Sequence, residues 1–162
     1  MWPWTTSPMT HDLRARASIA LADATTGLPD AYRLLERFAA DNGLSPDVLS
    51  ELSLAVDEIV SNIGSYAYPD DTPAPIRLQA SIVDDMVELV FEDDGTAFDP
   101  TSRPPPDPSA PLFARHAGGL GIHLVRSLMD EVVYARVGTS NRLVVRKRLP
   151  DHGRPAIGNT AG

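Results

Sequence analysis

The sequence predicts an α+β two-layer sandwich, with a mixed, mostly antiparallel sheet and helices on one face. Two observations lead to this fold class. Apolar residues recur at helical spacing in three stretches, and four of the five strand-like stretches form adjacent pairs joined by short polar turns. Strands joined by such short turns run antiparallel. We expect the helices to pack together on one face of this sheet. The 162 residues are enough for one domain with its own core.

The first half of the chain predicts one strand and two helices. Residues 1–10 hold two prolines and no periodic pattern, and we expect a flexible leader there. Loose alternation of apolar and polar residues predicts a strand over 13–20. An apolar stripe followed by Asn-Gly predicts a helix over 31–42. A second helix is predicted over 46–66, because Ser45 can cap it and a proline stands at its first helical position.

The second half predicts two hairpins, one helix and a long irregular segment. Proline fills six of the twelve positions from 100 to 111, which excludes a helix and a central strand there. A loop of that length in a compact domain is usually functional or disordered, and we expect a lid. The domain should span 11–150. The expected order is strands over 76–83 and 86–91, the lid over about 100–117, a helix over 122–129, strands over 131–137 and 141–149, and a flexible tail over 151–162.

Composition excludes several classes of function. The net charge is −8 and is uneven, since residues 1–100 hold five basic and 18 acidic side chains whereas residues 101–162 hold nine basic and four acidic ones. An acidic chain is a poor general binder of nucleic acid, so no direct nucleic-acid contact is predicted. The absence of cysteine excludes disulfides, thiolate metal sites and cysteine nucleophiles. No apolar run approaches about 20 residues and no secretory signal opens the chain, so we expect no membrane span and a cytoplasmic location.

The first chemical motif is Asp57-Glu-Ile-Val-Ser-Asn62, on the second predicted helix. Glu58 and Asn62 are four residues apart, so their side chains lie on the same helical face. A neutral carboxamide suits a hard cation that takes oxygen ligands, and the carboxylate beside it is then free to act as a base. The alternative is an ordinary solvent-exposed helix surface. When this motif is considered alone, that alternative is the better interpretation.

The second motif, Phe91-Glu-Asp-Asp-Gly95, runs from a predicted strand into a turn. A carboxylate at the end of a strand, such as that of Asp93, can accept a hydrogen bond from the exocyclic amine of a purine. Gly95 has no Cβ, which allows the backbone to approach a flat ring closely. The alternative is a solvated turn, since Asp-Gly is a common turn dipeptide.

The third motif, His116-Ala-Gly-Gly-Leu-Gly121, opens the third predicted helix. Glycines at a helix N-terminus expose backbone N–H groups that can bind an anion, and the helix dipole favours this binding. No Lys-Ser or Lys-Thr pair follows, which excludes a Walker loop, and no strand precedes, which excludes a Rossmann turn. A phosphate site here would depend on backbone amides, with Arg115 or His116 as candidate side-chain ligands. The alternative is an ordinary glycine-containing loop.

Together the three motifs carry a family resemblance. Residues 52–68 resemble the N box of the GHKL ATPases, and residues 91–100 and 118–130 resemble the first and second glycine boxes of that superfamily. The Phe-Asp-Pro that ends the first glycine box, and the whole second box, are most similar to the bacterial anti-sigma regulatory factors. Those proteins are small serine/threonine protein kinases. The resemblance covers roughly residues 13–149 and implies the histidine-kinase-like ATPase (Bergerat) fold.

The resemblance implies a role for each matching residue. Glu58 would be the general base that activates the attacking hydroxyl or water, and Asn62 would bind the Mg²⁺ that bridges the phosphates of ATP. Asp93 would receive the adenine amine, while Gly95 and Ala97 would line the base pocket.

The same resemblance implies that Gly118, Gly119, Leu120 and Gly121, with the helix they open, hold the phosphates beneath the lid. ATP and Mg²⁺ are the implied cofactors. Phosphoryl transfer depends mainly on positioning and charge neutralisation, so this small set of groups is sufficient.

The resemblance also implies partners. The family substrate is a serine on a small STAS-type anti-anti-sigma protein, and family members generally pair as homodimers to hold a sigma factor. Three positions depart from the family pattern. Ala97 stands where glycine is usual, Tyr66 where histidine is common, and Val144 where relatives often place a threonine near the nucleotide.

Two other functions stay open. The chain could be a nucleotide-binding module that switches partners with little or no kinase activity, which Ala97 favours. It could also be a detached ATPase domain of a histidine kinase, although none of its four histidines lies in an acidic helix start followed by a dimerisation helix.

Overall fold

The computed structural model describes residues 11–68, 75–102, 104, 109 and 120–150. The predicted leader, the predicted tail and most of the predicted lid lie outside these residues. The described chain forms, in order, strand β1 (Leu13–Leu21), helices α1 (Leu28–Asn42) and α2 (Pro46–Tyr66), strands β2 (Ile76–Val83) and β3 (Met86–Asp93), helix α3 (Leu120–Leu128), and strands β4 (Glu131–Val137) and β5 (Ser140–Arg148).

The five strands form one sheet in the order β1-β2-β3-β5-β4. All four neighbouring pairs are antiparallel, so the predicted α+β class is confirmed and the described sheet contains no parallel pair. The second hairpin explains this uniformity. It places β5, and not β4, beside β3. Strand β4 runs in the same direction as β3, so β5, which turns back from β4, is antiparallel to both.

The element boundaries differ from the predicted ones by up to three residues. Helix α1 begins at Leu28 rather than at residue 31. Proline at position 29 is tolerated in the first turn, because its missing N–H would have no partner within the helix. Strand β3 continues two residues beyond the prediction, since its pairing with β5 extends to the Asp93–Asn141 pair. Helix α3 begins at Leu120, two residues earlier than predicted.

One end of each long helix lies at a capping residue that the sequence indicates. At the start of α2, the Ser45 hydroxyl accepts a hydrogen bond from the Val48 N–H at 3.3 Å. At the end of α1, Gly43 has a φ of +65°, a conformation that favours glycine. In the described part of the chain, no helix combines the length and the apolar character needed to cross a membrane.

One core lies between the helices and one face of the sheet. Alternate residues of the central strands point into it, and the opposite face carries charged pairs such as Arg146 with Glu88 at 2.7 Å. The helices therefore cover one face, as predicted. Among the buried side chains are Leu35, Val56 and Val125 from the helices and Leu78, Leu89 and Val145 from the strands.

Candidate functional site

A cavity opens where the C-terminal half of α2 meets the ends of β3 and β5. The space there that no protein atom fills, open solvent included, is about 370 Å³. The structure therefore brings the predicted adenine ligand Asp93 and the predicted metal ligand Asn62 to one cavity. Its lining includes Asn62, Asp93, Asn141, Ile63, Phe91 and Phe98.

Asp93 ends β3 and is only 3% exposed. Its Oδ1 accepts two hydrogen bonds of 2.9 Å, one from the Gly95 N–H and one from Nδ2 of Asn141. Such bonds compensate a buried carboxylate for the water it has lost. Within the described residues, Oδ2 has no hydrogen-bond partner. One oxygen is thus fixed, and the other is available to a donor that enters the cavity.

Gly95 lies against the C-terminal end of α2. A Cβ at this position would stand 2.6 Å from the Ala67 carbonyl oxygen and 2.7 Å from the Ala67 Cβ, so only glycine fits without a shift. The neighbouring Thr96 N–H donates to the same Ala67 carbonyl at 2.9 Å. The loop after β3 is therefore held on the last turn of α2 by a close backbone contact.

Aromatic and polar side chains fix the rest of this loop. The rings of Tyr66 and Phe98 stack with centroids 4.7 Å apart and planes 17° apart. The Asp94 N–H donates to the Tyr68 hydroxyl at 3.1 Å, and burial raises the pKa of Tyr68 above its usual value. The Ser140 hydroxyl donates to the Asp94 carboxylate and lowers its pKa. Both shifts keep Tyr68 neutral and Asp94 ionised at neutral pH.

Glu58 and Asn62 lie one turn apart on α2, as predicted, but they reach different places. Asn62 lines the cavity. The carboxylate of Glu58 lies against Gly121 in the first turn of α3, where an added Cβ would overlap Glu58 Oε2. A carboxylate near a helix N-terminus is favoured by the helix dipole. The Glu58 carboxylate of the N box thus lies beside the start of the second glycine box.

The rest of the second glycine motif is described only in part. Leu120 and Gly121 are the first two residues of α3. Gly118, Gly119 and the side chain of Leu120 lie outside the described residues. Ala97 is exposed in the loop after β3. The role of these residues in holding the nucleotide stays a prediction.

Sequence reasoning missed Asn141, which is buried at the start of β5 and 5% exposed. Besides its bond to Asp93, it accepts hydrogen bonds from the Tyr134 hydroxyl at 2.8 Å and from Arg136 Nη1 at 2.9 Å. Arg136 Nη1 also donates to the Gly95 carbonyl at 2.9 Å. Three residues of the second hairpin thus take part in building the cavity.

The prediction that Val144 stands near the nucleotide was wrong. Val144 pairs with Val90, whereas Asn141 pairs with Asp93, and an odd shift along a strand places side chains on opposite faces. Strand alternation was a signal that could have pointed to Asn141 as the residue of β5 on the cavity face. Leu143 is an apolar core residue of β5, so Asn141, two positions earlier, had to lie on the same face.

The residues present fit a magnesium ion that is held mainly by nucleotide phosphates and water. No group of three His, Cys, Asp or Glu side chains able to hold a metal occurs among residues that the structure describes. Mg²⁺ bound to a nucleotide usually takes its ligands from phosphates and water, with one or two from the protein. The Asn62 carboxamide in the cavity fits as one neutral oxygen ligand, which stays a prediction.

Comparison with known proteins decides the family. A family model described as the histidine kinase-like ATPase domain matches residues 21–147. The chain belongs to this family. The matched range runs from the end of β1 almost to the end of β5, and it contains Glu58, Asn62 and Asp93. The predicted family is confirmed.

Relatives within the family are named as protein kinases. The chain is 31% identical over 138 residues to the serine/threonine-protein kinase BtrW of Bordetella bronchiseptica, a match that covers 85% of this chain and 94% of BtrW. It is 30% identical over 102 residues to the serine-protein kinase RsbW of Bacillus subtilis, covering 60% of this chain and 64% of RsbW. The match to RsbW thus spans slightly less than two thirds of that protein. These names confirm the predicted serine/threonine kinase group.

A solved structure agrees with the fold. The crystal structure of the RsbU and RsbW domains of a Mycobacterium tuberculosis protein superposes with a TM-score of 0.59 at 18% identity. The match covers 83% of this chain and 32% of that one. At this identity the likeness supports the two-layer fold and nothing finer.

Proposed function

We propose that this chain is an ATP-dependent protein kinase that phosphorylates a serine of a small partner protein. One observation carries the proposal, namely the buried carboxylate of Asp93, which presents one oxygen without a partner among the described residues to the cavity that Asn62 also lines. A carboxylate oxygen accepts a hydrogen bond from the 6-amine of adenine and repels the 6-carbonyl of guanine. The site therefore favours ATP over GTP.

The transfer step assigns a task to each protein group. Glu58 accepts the proton of the partner's serine hydroxyl as that oxygen forms a bond to the γ-phosphorus, and the bond to the bridging oxygen breaks to release ADP. Asn62 would hold Mg²⁺, which when bound neutralises phosphate charge. Gly121 gives Glu58 room at the start of α3. The glycines before it, which bear backbone donors, would hold the phosphates.

The family resemblance supports a narrower statement. We propose that the partner is a STAS-type anti-anti-sigma protein, that a homodimer of this chain holds a sigma factor, and that phosphorylation of the partner decides which of the two is bound. This exchange would take place in the cytoplasm, where ATP is available.

The decisive experiment is a transfer assay with γ-labelled ATP, Mg²⁺ and a purified anti-anti-sigma protein that carries the candidate serine. We expect label on the partner, and none when that serine is replaced by alanine. Calorimetry with Mg·ATP is run beside it. Failure of the wild-type chain to bind Mg·ATP at millimolar concentration would refute the proposal.

A second function is favoured by the position of Glu58. Its carboxylate lies against Gly121 in α3 and does not line the cavity with Asn62. A chain in which Glu58 stayed there would bind nucleotide and switch partners without transferring phosphate. Binding of Mg·ATP with no label on any serine partner would support this function instead.

A further inference from the structure

Asn141 is the centre of a complete hydrogen-bond network beside the cavity. Its Nδ2 donates to Asp93 Oδ1 and to the Thr96 carbonyl, both at 2.9 Å. Its Oδ1 accepts from the Tyr134 hydroxyl at 2.8 Å, from Arg136 Nη1 at 2.9 Å and, more weakly, from the Phe98 N–H at 3.4 Å. Both donor hydrogens of this buried carboxamide are therefore used.

The network allows only one orientation of the carboxamide. Tyr134, Arg136 and the Phe98 N–H meet on one side of Asn141, and two of these groups can only donate. The Asp93 carboxylate and the Thr96 carbonyl, which only accept, lie on the other side. Rotating the carboxamide by half a turn would set donors against donors and acceptors against acceptors. The Nδ2 group consequently faces Asp93.

This orientation determines which oxygen of Asp93 can meet a ligand. Oδ1 takes the bonds from Asn141 and from the Gly95 N–H, so the plane of the carboxylate is set and Oδ2 is the remaining acceptor. Asn141 also holds the loop after β3 through the Thr96 carbonyl and the Phe98 N–H, and Arg136 joins the same loop through the Gly95 carbonyl. The loop that carries Ala97 is thereby fixed at several points.

We propose that Asn141 is a positioning residue for purine selection, which orients Asp93 so that Oδ2 meets the 6-amine of the base. This inference rests on the proposed function, because it requires that an adenine nucleotide occupies the cavity. The inference adds a residue of β5 to the predicted nucleotide-binding residues. Through its bonds to Thr96 and Phe98, this residue also fixes the loop that carries Ala97.

The test compares ATP with purine riboside triphosphate, which lacks the 6-amine and is otherwise the same ligand. Dissociation constants for both are measured by calorimetry with Mg²⁺ for the wild type and for Asn141→Asp. This isosteric variant keeps an acceptor for Tyr134 and Arg136 but replaces the donor to Asp93 with an oxygen, so the two carboxyl groups repel or share a proton. We expect the wild type to prefer ATP, and the variant to lose about tenfold in ATP affinity with little change for the amine-free analogue.

The matched control is Val87→Ala, which removes buried side-chain volume at the opposite end of β3 from Asp93. It should lower stability and leave the ratio of the two affinities at the wild-type value. If Asn141→Asp does not fold, Asn141→Ser takes its place with the same expected loss of preference. Equal losses for both nucleotides, an unchanged ratio, or a wild type that binds both equally would overturn the role of Asn141. A wild type that binds neither would overturn the proposed function itself.

Discussion

The substitution Gly95→Ala tests how the loop after β3 is placed on α2. The added Cβ would lie 2.6 Å from the Ala67 carbonyl oxygen and 2.7 Å from the Ala67 Cβ, and it would be 3.0 Å from the Ala67 carbonyl carbon. Two of these three atoms belong to the backbone, so no side-chain rotation can relieve the overlap. The loop must move outward by several tenths of an ångström.

That movement has a calculable cost. Overpacking of this kind typically lowers stability by about 1–3 kcal/mol. The shift also stretches the 2.9 Å bond from the Thr96 N–H to the Ala67 carbonyl and the 2.9 Å bond from the Gly95 N–H to Asp93. Because the second bond orients Asp93, we expect ATP affinity to fall by about tenfold, which corresponds to about 1.4 kcal/mol.

The assay combines denaturant unfolding with calorimetric titration of Mg·ATP. The matched control is Gly43→Ala at the end of α1, where φ is +65° and nothing lies within 4 Å of the added Cβ. It should lower stability by about 1 kcal/mol through backbone strain and leave ATP affinity unchanged. If Gly95→Ala kept wild-type stability and affinity, the close contact with Ala67 would not be what places the loop.

Three further substitutions test the site. Glu58→Gln should keep the ATP dissociation constant and abolish label transfer, and equal transfer rates in variant and wild type would remove Glu58 from the mechanism. Asp93→Asn must turn its amide donor toward the cavity to keep its bonds from Asn141 and Gly95. Calorimetry should therefore show weaker binding of ATP and relatively stronger binding of ITP, the nucleotide with a 6-oxo group. An unchanged ratio of the ATP and ITP affinities would contradict recognition of the 6-amine. Gly121→Ala should displace the Glu58 carboxylate and lower the transfer rate more than the ATP affinity, and an unaffected rate would show that the contact in α3 does not position the base.

The sequence was sufficient to predict the helices and strands, and to predict which residues lie together on one helix. The cap at Ser45 and the pair Glu58 and Asn62 depend on neighbours within one or two turns, so local patterns predict them. The bond from Asn141 to Asp93 joins residues 48 positions apart. It exists only because β5 pairs with β3 in one particular register, and no local pattern states a register between strands separated by a helix.

The contact of Glu58 with Gly121 has the same origin. It depends on how α3 packs against α2, which sequence periodicity does not determine. Val144 illustrates the opposite case, because the face on which a residue lies follows from its position along the strand. Alternation along β5 places Val144 on the face opposite to that of Asn141, away from the cavity.

The cavity draws Asn62, Asp93 and Asn141 from three elements spread across most of the chain, so a partly unfolded molecule has no such binding site. Any nucleotide bound there would stabilise the native state alone, by about 2.7 kcal/mol when its concentration is a hundred times the dissociation constant. We therefore expect pulse proteolysis to cut the chain much less in the presence of Mg·ATP than in its absence, with equal cutting as the contrary result. The energy status of the cell would then help to set how long each copy of the protein survives its proteases.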